Sequence, residues 1–137
     1  MIFDYKSFER KFMEGWNYHA IEGLLELYSD DMIYKHQGEE SRIVRGKKQF
    51  DLYLKGLWDS IPDFEFKLLR TAWNGCTGFG EWIGKGTFQG QRYGHSKVAE
   101  PKKIEYEGVD VLILDSSNLI KEERAYYNML DVIRQLQ

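Results

Sequence analysis

Apolar residues recur every four positions along the first part of the chain, at Phe8, Phe12, Trp16, Ala20, Leu24 and Tyr28. That spacing predicts an apolar stripe on a helix. Gly15, Asn17 and Gly23 interrupt it, which predicts two helices or a kink near positions 15–17. A short strand is expected over residues 32–36, after Asp30-Asp31. A second helical pattern over residues 45–60 carries Phe50, Leu54, Leu57 and Trp58, and Pro62 stops it. From Phe64 the period changes to two: Phe64, Phe66 and Leu68 alternate with Glu65 and Lys67, a half-buried strand running to about Trp73. Asn74-Gly75 is a turn signal. Further strands are predicted over 78–90, 104–114 and 119–128, then a short helix with Leu130, Ile133 and Leu136 on one face.

The segment GFGEWIGKGTFQG (78–90) resembles a phosphate loop only superficially. A dinucleotide fingerprint needs a third glycine five residues after the first and a following helix. Counting from Gly84 that position is Gln89, from Gly78 it is Ile83, and no helical stripe follows. A glycine-bearing strand that must bend is the better reading. The element order is therefore helix, helix, strand, helix and a four-strand meander: α+β, one domain, with helices packed on one face of a curved antiparallel sheet.

The last hairpin sets the candidate chemistry. A three-residue loop, Ser116-Ser117-Asn118, places Leu114 opposite Ile120 and Asp110 opposite Arg124, an apolar pair and an opposite-charge pair. Alternation then puts Ile120, Glu122, Arg124, Tyr126 and Asn128 on the face shared with Asp110, Leu112 and Leu114. A few polar groups in an apolar wall suit a ligand pocket, and equally a half-exposed sheet. Asp110 fits a general base with Arg124 holding it or a substrate oxygen; a structural ion pair fits the same positions. Glu81 and Glu122 have no obvious partner, so each is either a carboxyl raised by burial or a solvated one. His36 suits proton shuttling near neutral pH, or is a hydrogen-bonded strand histidine without chemistry. His19 and His95 read as surface residues.

Composition narrows the classes. A net charge of −3 leaves no basic footprint for nucleic acid. No apolar run approaches the ~20 residues of a membrane span, and the opening segment has no signal-peptide pattern. One cysteine, Cys76, allows no intrachain disulfide, which fits a cytoplasmic protein. The histidine and cysteine spacing forms no metal motif, and no cofactor fingerprint is present, so neither metal nor cofactor is expected.

Four segments carry a family resemblance: Trp16-Asn17 with LLELYSDDMIYKH, then EWIGKGTFQG, EGVDVLIL, and LIKEERAYYNMLDVIRQLQ. Together they resemble the SnoaL-like polyketide cyclases, within the nuclear-transport-factor-2-like and ketosteroid-isomerase-like superfamily. The resemblance implies a cone-shaped sheet around a pocket, frequent dimers packed through the sheet, and cofactor-independent aldol chemistry driven by a pocket acid or base. It further implies that His36 enters the pocket. Two positions depart from the pattern: Phe88 stands where the family commonly has histidine, and Asn128 where it commonly has an acid. An amide does not shuttle protons at neutral pH. The expectation is a homodimer that holds a small hydrophobic, carbonyl-bearing molecule. His36, Asp110 or Glu81 would move the proton, and Trp16, Glu122, Arg124, Tyr126 and Asn128 would bind substrate. The alternatives are a non-catalytic ligand binder and a dimeric interaction module of the same fold.

Overall fold

In a computed structural model, which describes residues 2–36, 42–92 and 100–137, the chain folds as helices against an open, curved six-stranded sheet. The helices are α1 (Tyr5–Asn17), α2 (Ile21–Leu25), α3 (Gly46–Ser60) and α4 (Met129–Gln135). The strands are β1 (Tyr28–His36), β2 (Arg42–Arg45), β3 (Glu65–Asn74), β4 (Thr77–Phe88), β5 (Lys102–Leu114) and β6 (Ile120–Tyr127). Their spatial order is β2-β1-β6-β5-β4-β3. Every pairing is antiparallel except β1 with β6, which is parallel and sets the first strand beside the last.

Helix α1 starts at Asp4, whose side chain accepts from the Ser7 N–H at 3.0 Å, satisfying an otherwise orphaned donor. It buries Phe8, Phe12 and Trp16. Its end is tied to the sheet by Asn17, whose side-chain amide donates to the Phe66 carbonyl (2.9 Å) and accepts from the Phe66 N–H (2.8 Å). The stripe read through Tyr28 breaks earlier than expected: Tyr28 opens β1, and its side chain is fully buried. In α4 the buried residue is Val132, followed by Leu136, while Leu130 and Ile133 face outward. His19 is half-buried, stacked on Trp58 at 4.4 Å between ring centroids; His95 lies outside the described residues.

The glycines of β4 mark no bulge in its pairing with β5. Pairing with β5 is regular from Thr77 to Phe88, and the bulge in this part of the sheet falls in β3, between Leu68 and Arg70. The missing side chains make room for rings. A Cβ on Gly78 would come within 2.7 Å of the Trp73 ring, and one on Gly84 within 3.2 Å of Trp82.

The last hairpin has the expected three-residue loop, with the Asp115 N–H donating to the Leu119 carbonyl (2.8 Å) and Asn118 at φ 61°. Leu114 faces Ile120. Beyond that pair the register steps by one: Ile113 faces Glu122, and Lys121 is left as an extra residue. A one-residue bulge exchanges the two faces of everything after it. Asp110 therefore faces Ala125, not Arg124, and the predicted ion pair does not form. Glu123 and Ala125 point to the interior, with Tyr127 partly buried beside them, while Glu122, Arg124 and Tyr126 occupy the outer face. Among the described residues no helix is long and apolar enough to cross a membrane.

Candidate functional site

The concave side of the sheet and helices α1 and α3 enclose a cavity of about 80 Å³. Its wall is mostly rings, among them Phe12, Trp16, Tyr53, Phe66, Trp82 and Tyr106. Its ionisable lining groups other than tyrosines are Glu9, His36 and Asp110, with Tyr127 beside His36. Polar groups this few in an apolar wall fix a ligand's orientation rather than supply its bulk affinity.

Asp110 is the centre of a buried hydrogen-bonded array. The Trp82 indole N–H donates to its Oδ1 at 2.9 Å. Glu123, two positions from Asp110's cross-strand partner, lies within hydrogen-bonding reach of it and is fully buried. The Tyr28 hydroxyl donates to Glu123 Oε1 at 2.5 Å, and Glu123 Oε2 has no donor. A carboxylate oxygen so placed is costly. A proton shared between the Glu123 and Asp110 carboxyls lowers the cost, and the electrostatics agree. Burial pushes the Asp110 carboxyl up; burial and then the Asp110 charge push Glu123 well up. Tyr28 is likewise raised, by burial and then by Glu123, so it remains a donor. The two carboxyls hold one proton between them over a range in which isolated ones hold none.

His36, 5% exposed, lies 2.8 Å through Nε2 from the Tyr127 hydroxyl. Burial, with Arg92 and Arg42 adding to it, lowers its pKa to about 3. It is therefore a neutral hydrogen-bonding group at physiological pH and does not titrate in the range expected of a shuttle. Arg42 and Arg92 lie over the Tyr53 ring, 5.5 and 4.9 Å from its centroid.

Of the residues singled out from sequence, Trp16, His36 and Asp110 line the cavity. Glu81, Glu122, Arg124, Tyr126 and Asn128 do not. Glu81 is on the outer face of β4, paired with Arg70 at 2.9 Å. Glu122 is held below the usual carboxylate range by Lys35 (3.0 Å) and then Arg124 (3.2 Å), also outside. Tyr126 is 41% exposed. Asn128 caps α4, its Oδ1 accepting from the Leu130 and Asp131 N–H groups at 3.1 and 3.4 Å. The Lys121 bulge accounts for Glu122, Arg124 and Tyr126 together. It also hid Glu123 and Tyr127, which alternation places on the opposite face. Only the ordinary excess of alternation errors at bulges, never a residue type, could have flagged them. Among the described residues no group of three or more His, Cys, Asp or Glu side chains is arranged to hold a metal ion.

The family model for SnoaL-like polyketide cyclase matches residues 6–136. The chain is similar to a structure described as a SnoaL-like polyketide cyclase from Shewanella denitrificans, at 15% identity and a TM-score of 0.84, with 96% of each chain covered. A second, from Shewanella putrefaciens, gives 16% identity and 0.84, covering 99% of this chain and 98% of that one. A Catenulispora acidiphila protein with a ketosteroid isomerase-like fold, solved with trimethylamine, gives 15% and 0.78, covering 93% and 90%. No curated protein matches the sequence significantly.

Proposed function

The chain belongs to the SnoaL-like polyketide cyclase family, and within it we propose that it binds a small hydrophobic carbonyl compound and moves a proton at the carbon beside the carbonyl. The observation that carries this reading is Asp110, a carboxyl raised by burial and backed by Glu123, opening on a ring-lined cavity. As a carboxylate, Asp110 takes the proton from the α-carbon. The C–H electron pair becomes the enolate C=C bond, and the former carbonyl oxygen takes the negative charge. Tyr127 and its partner His36 supply the hydrogen bonding that steadies that oxygen. Asp110 then returns the proton to carbon for isomerisation, or the enolate carbon attacks a second carbonyl for ring closure. No redox partner is consumed.

A second reading, binding without turnover, is supported by the Trp82 and Glu123 hydrogen bonds to Asp110, since donors to a carboxylate weaken it as a base. One experiment separates the two. Acetophenone in D₂O with the protein should exchange its methyl protons for deuterium faster than in buffer, followed by NMR, and Asp110→Asn should remove the acceleration. Binding without exchange would leave the second reading. Absence of binding by any small ketone would overturn both. The family resemblance further supports a cytoplasmic homodimer, for which sedimentation equilibrium at micromolar concentration is the test.

A further inference from the structure

The cavity is acidic as well as small. Its ionisable lining groups are Glu9, Asp110, the neutral His36 and tyrosines; among the described residues no lysine or arginine lines it. Both acids are anchored the same way. The Trp73 indole N–H donates to Glu9 Oε1 at 2.9 Å, as that of Trp82 does to Asp110. Each carboxyl is thus held in place by a ring that is itself cavity wall. Arg42 and Arg92 pack against Tyr53, and neither reaches the lining. Arg92 and Arg42 act on the cavity only through the His36 and Tyr53 wall, so an anionic ligand would shed its hydration and meet two carboxyls with no lysine or arginine among the described lining residues to pair with it.

Size restricts the ligand independently. At about 80 Å³ the cavity, open on one side, is well below the ~300–1,000 Å³ of ordinary drug-sized sites. The walls leave little to give: Phe12, Trp16 and Phe66 are interlocked edge-to-face or tilted, with centroids 6.1 to 6.4 Å apart. A ligand seats a short chain or a single small ring inside, and any remainder stays toward the opening.

We propose that the site selects a carbonyl compound of at most one ring, uncharged or bearing an amine, and excludes carboxylated and multi-ring compounds, with Glu9 as the residue that rejects the anion. This rests on the reading of the cavity as a carbonyl-binding site.

The test is a ligand-observed NMR titration at pH 7 with four ketones: acetophenone, 4-acetylbenzylamine, 4-acetylbenzoate and 9-acetylanthracene. The first two should bind, and the other two should bind at least ~10-fold more weakly, equivalent to about 1.4 kcal/mol. Glu9→Gln retains an acceptor for Trp73 while removing the charge, so it should narrow the gap between 4-acetylbenzoate and acetophenone several-fold. Equal binding of the benzoate or the anthracene by the unmodified protein overturns the selectivity and leaves the carbonyl-binding reading standing. An unchanged gap in Glu9→Gln overturns the assignment to Glu9. If none of the four binds, the selectivity and the carbonyl-binding reading fall together.

Discussion

Asp110 on β5 and Glu123 on β6 point to the same side of the sheet, diagonally across one strand pairing, and share a hydrogen bond that neither can make as a fully ionised pair. Glu123 is wholly buried, so its charge has no solvent to relax into. In the unfolded chain it ionises near pH ~4.3; in the fold burial holds its proton to higher pH. Between those values the folded state binds more protons, so this group's contribution to stability is fullest below the unfolded pKa and declines as pH rises toward the folded one. Glu123→Gln keeps an acceptor for Tyr28 and offers Asp110 a permanent donor. Urea unfolding should show the variant more stable than the parent at pH 8, by about 1–2 kcal/mol, with no such gain at pH 4. A gain independent of pH would show that Glu123 does not hold the extra proton. Glu123→Ala, which strands the Tyr28 hydroxyl beside a void, should cost about 2–4 kcal/mol.

His36 gives the opposite slope. Its folded pKa of about 3 lies below the ordinary 6.5, so the unfolded state takes up the proton first as pH falls. Its contribution is complete above pH 6.5 and is lost as pH falls toward 3, at no more than about 1.4 kcal/mol per pH unit. Comparing urea midpoints at pH 7 and pH 4.5, His36→Gln should lose less stability than the parent. The ring nitrogens of His36, followed by ¹⁵N NMR, should remain those of a neutral imidazole at pH 5. A midpoint between 6 and 7 would contradict the burial argument and restore His36 as a shuttle.

Most of the element order was legible because it depends on local periodicity: the four-residue stripe of α1, the period-two run of β3, the Asn74-Gly75 turn; β2, four residues long, shows no such period and was missed. The family's segments were legible for the same reason. What could not be read was the consequence of one unpaired residue. Nothing about Lys121 in sequence distinguishes a bulge from a ladder position, yet the bulge decides which of Glu122 and Glu123 is buried. The parallel pairing of β1 with β6 was hidden too, since it joins residues about ninety positions apart, such as Tyr34 and Glu123. Of the candidate residues, those on β1, α1 and β5 reach the cavity, and those after the bulge do not.

Gly108 keeps Asp110's indole donor in place. It pairs with Trp82 across β4 and β5, and a Cβ there would sit 2.3 Å from Trp82 Cζ2 and 2.7 Å from the Tyr126 carbonyl oxygen. Backbone on one side leaves only the ring to move, and moving it breaks the Trp82–Asp110 hydrogen bond. Gly108→Ala should cost about 1–3 kcal/mol in urea unfolding and shift the Trp82 indole N–H resonance, with loss of any ketone binding. Gly56→Ala, inside α3 where an added Cβ meets nothing within 4 Å, is the control: it should raise stability by about 0.5–1 kcal/mol and leave the indole resonance and ketone binding unchanged.

Deleting Lys121 tests the bulge itself. Without it, Ile120 joins directly to Glu122, so the pairs Leu114–Ile120, Ile113–Glu122 and Leu112–Glu123 run on in one unbroken register and every later residue of β6 keeps its face. Glu123 and Ala125 stay inside, Arg124 stays outside, and Tyr28 keeps its acceptor. Only the local kink and added twist of the bulge are lost. The deletion should therefore lower stability by no more than about 1–2 kcal/mol. Substitution of the same residue, Lys121→Ala, should change it by less than about 0.5 kcal/mol, because the side chain is exposed. Urea unfolding measures both, and the Trp82 indole N–H resonance reports whether Asp110 keeps its donor. A crystal structure of the deleted protein with Arg124 opposite Asp110 would mean that the native pairs beyond the bulge do not hold without the extra residue.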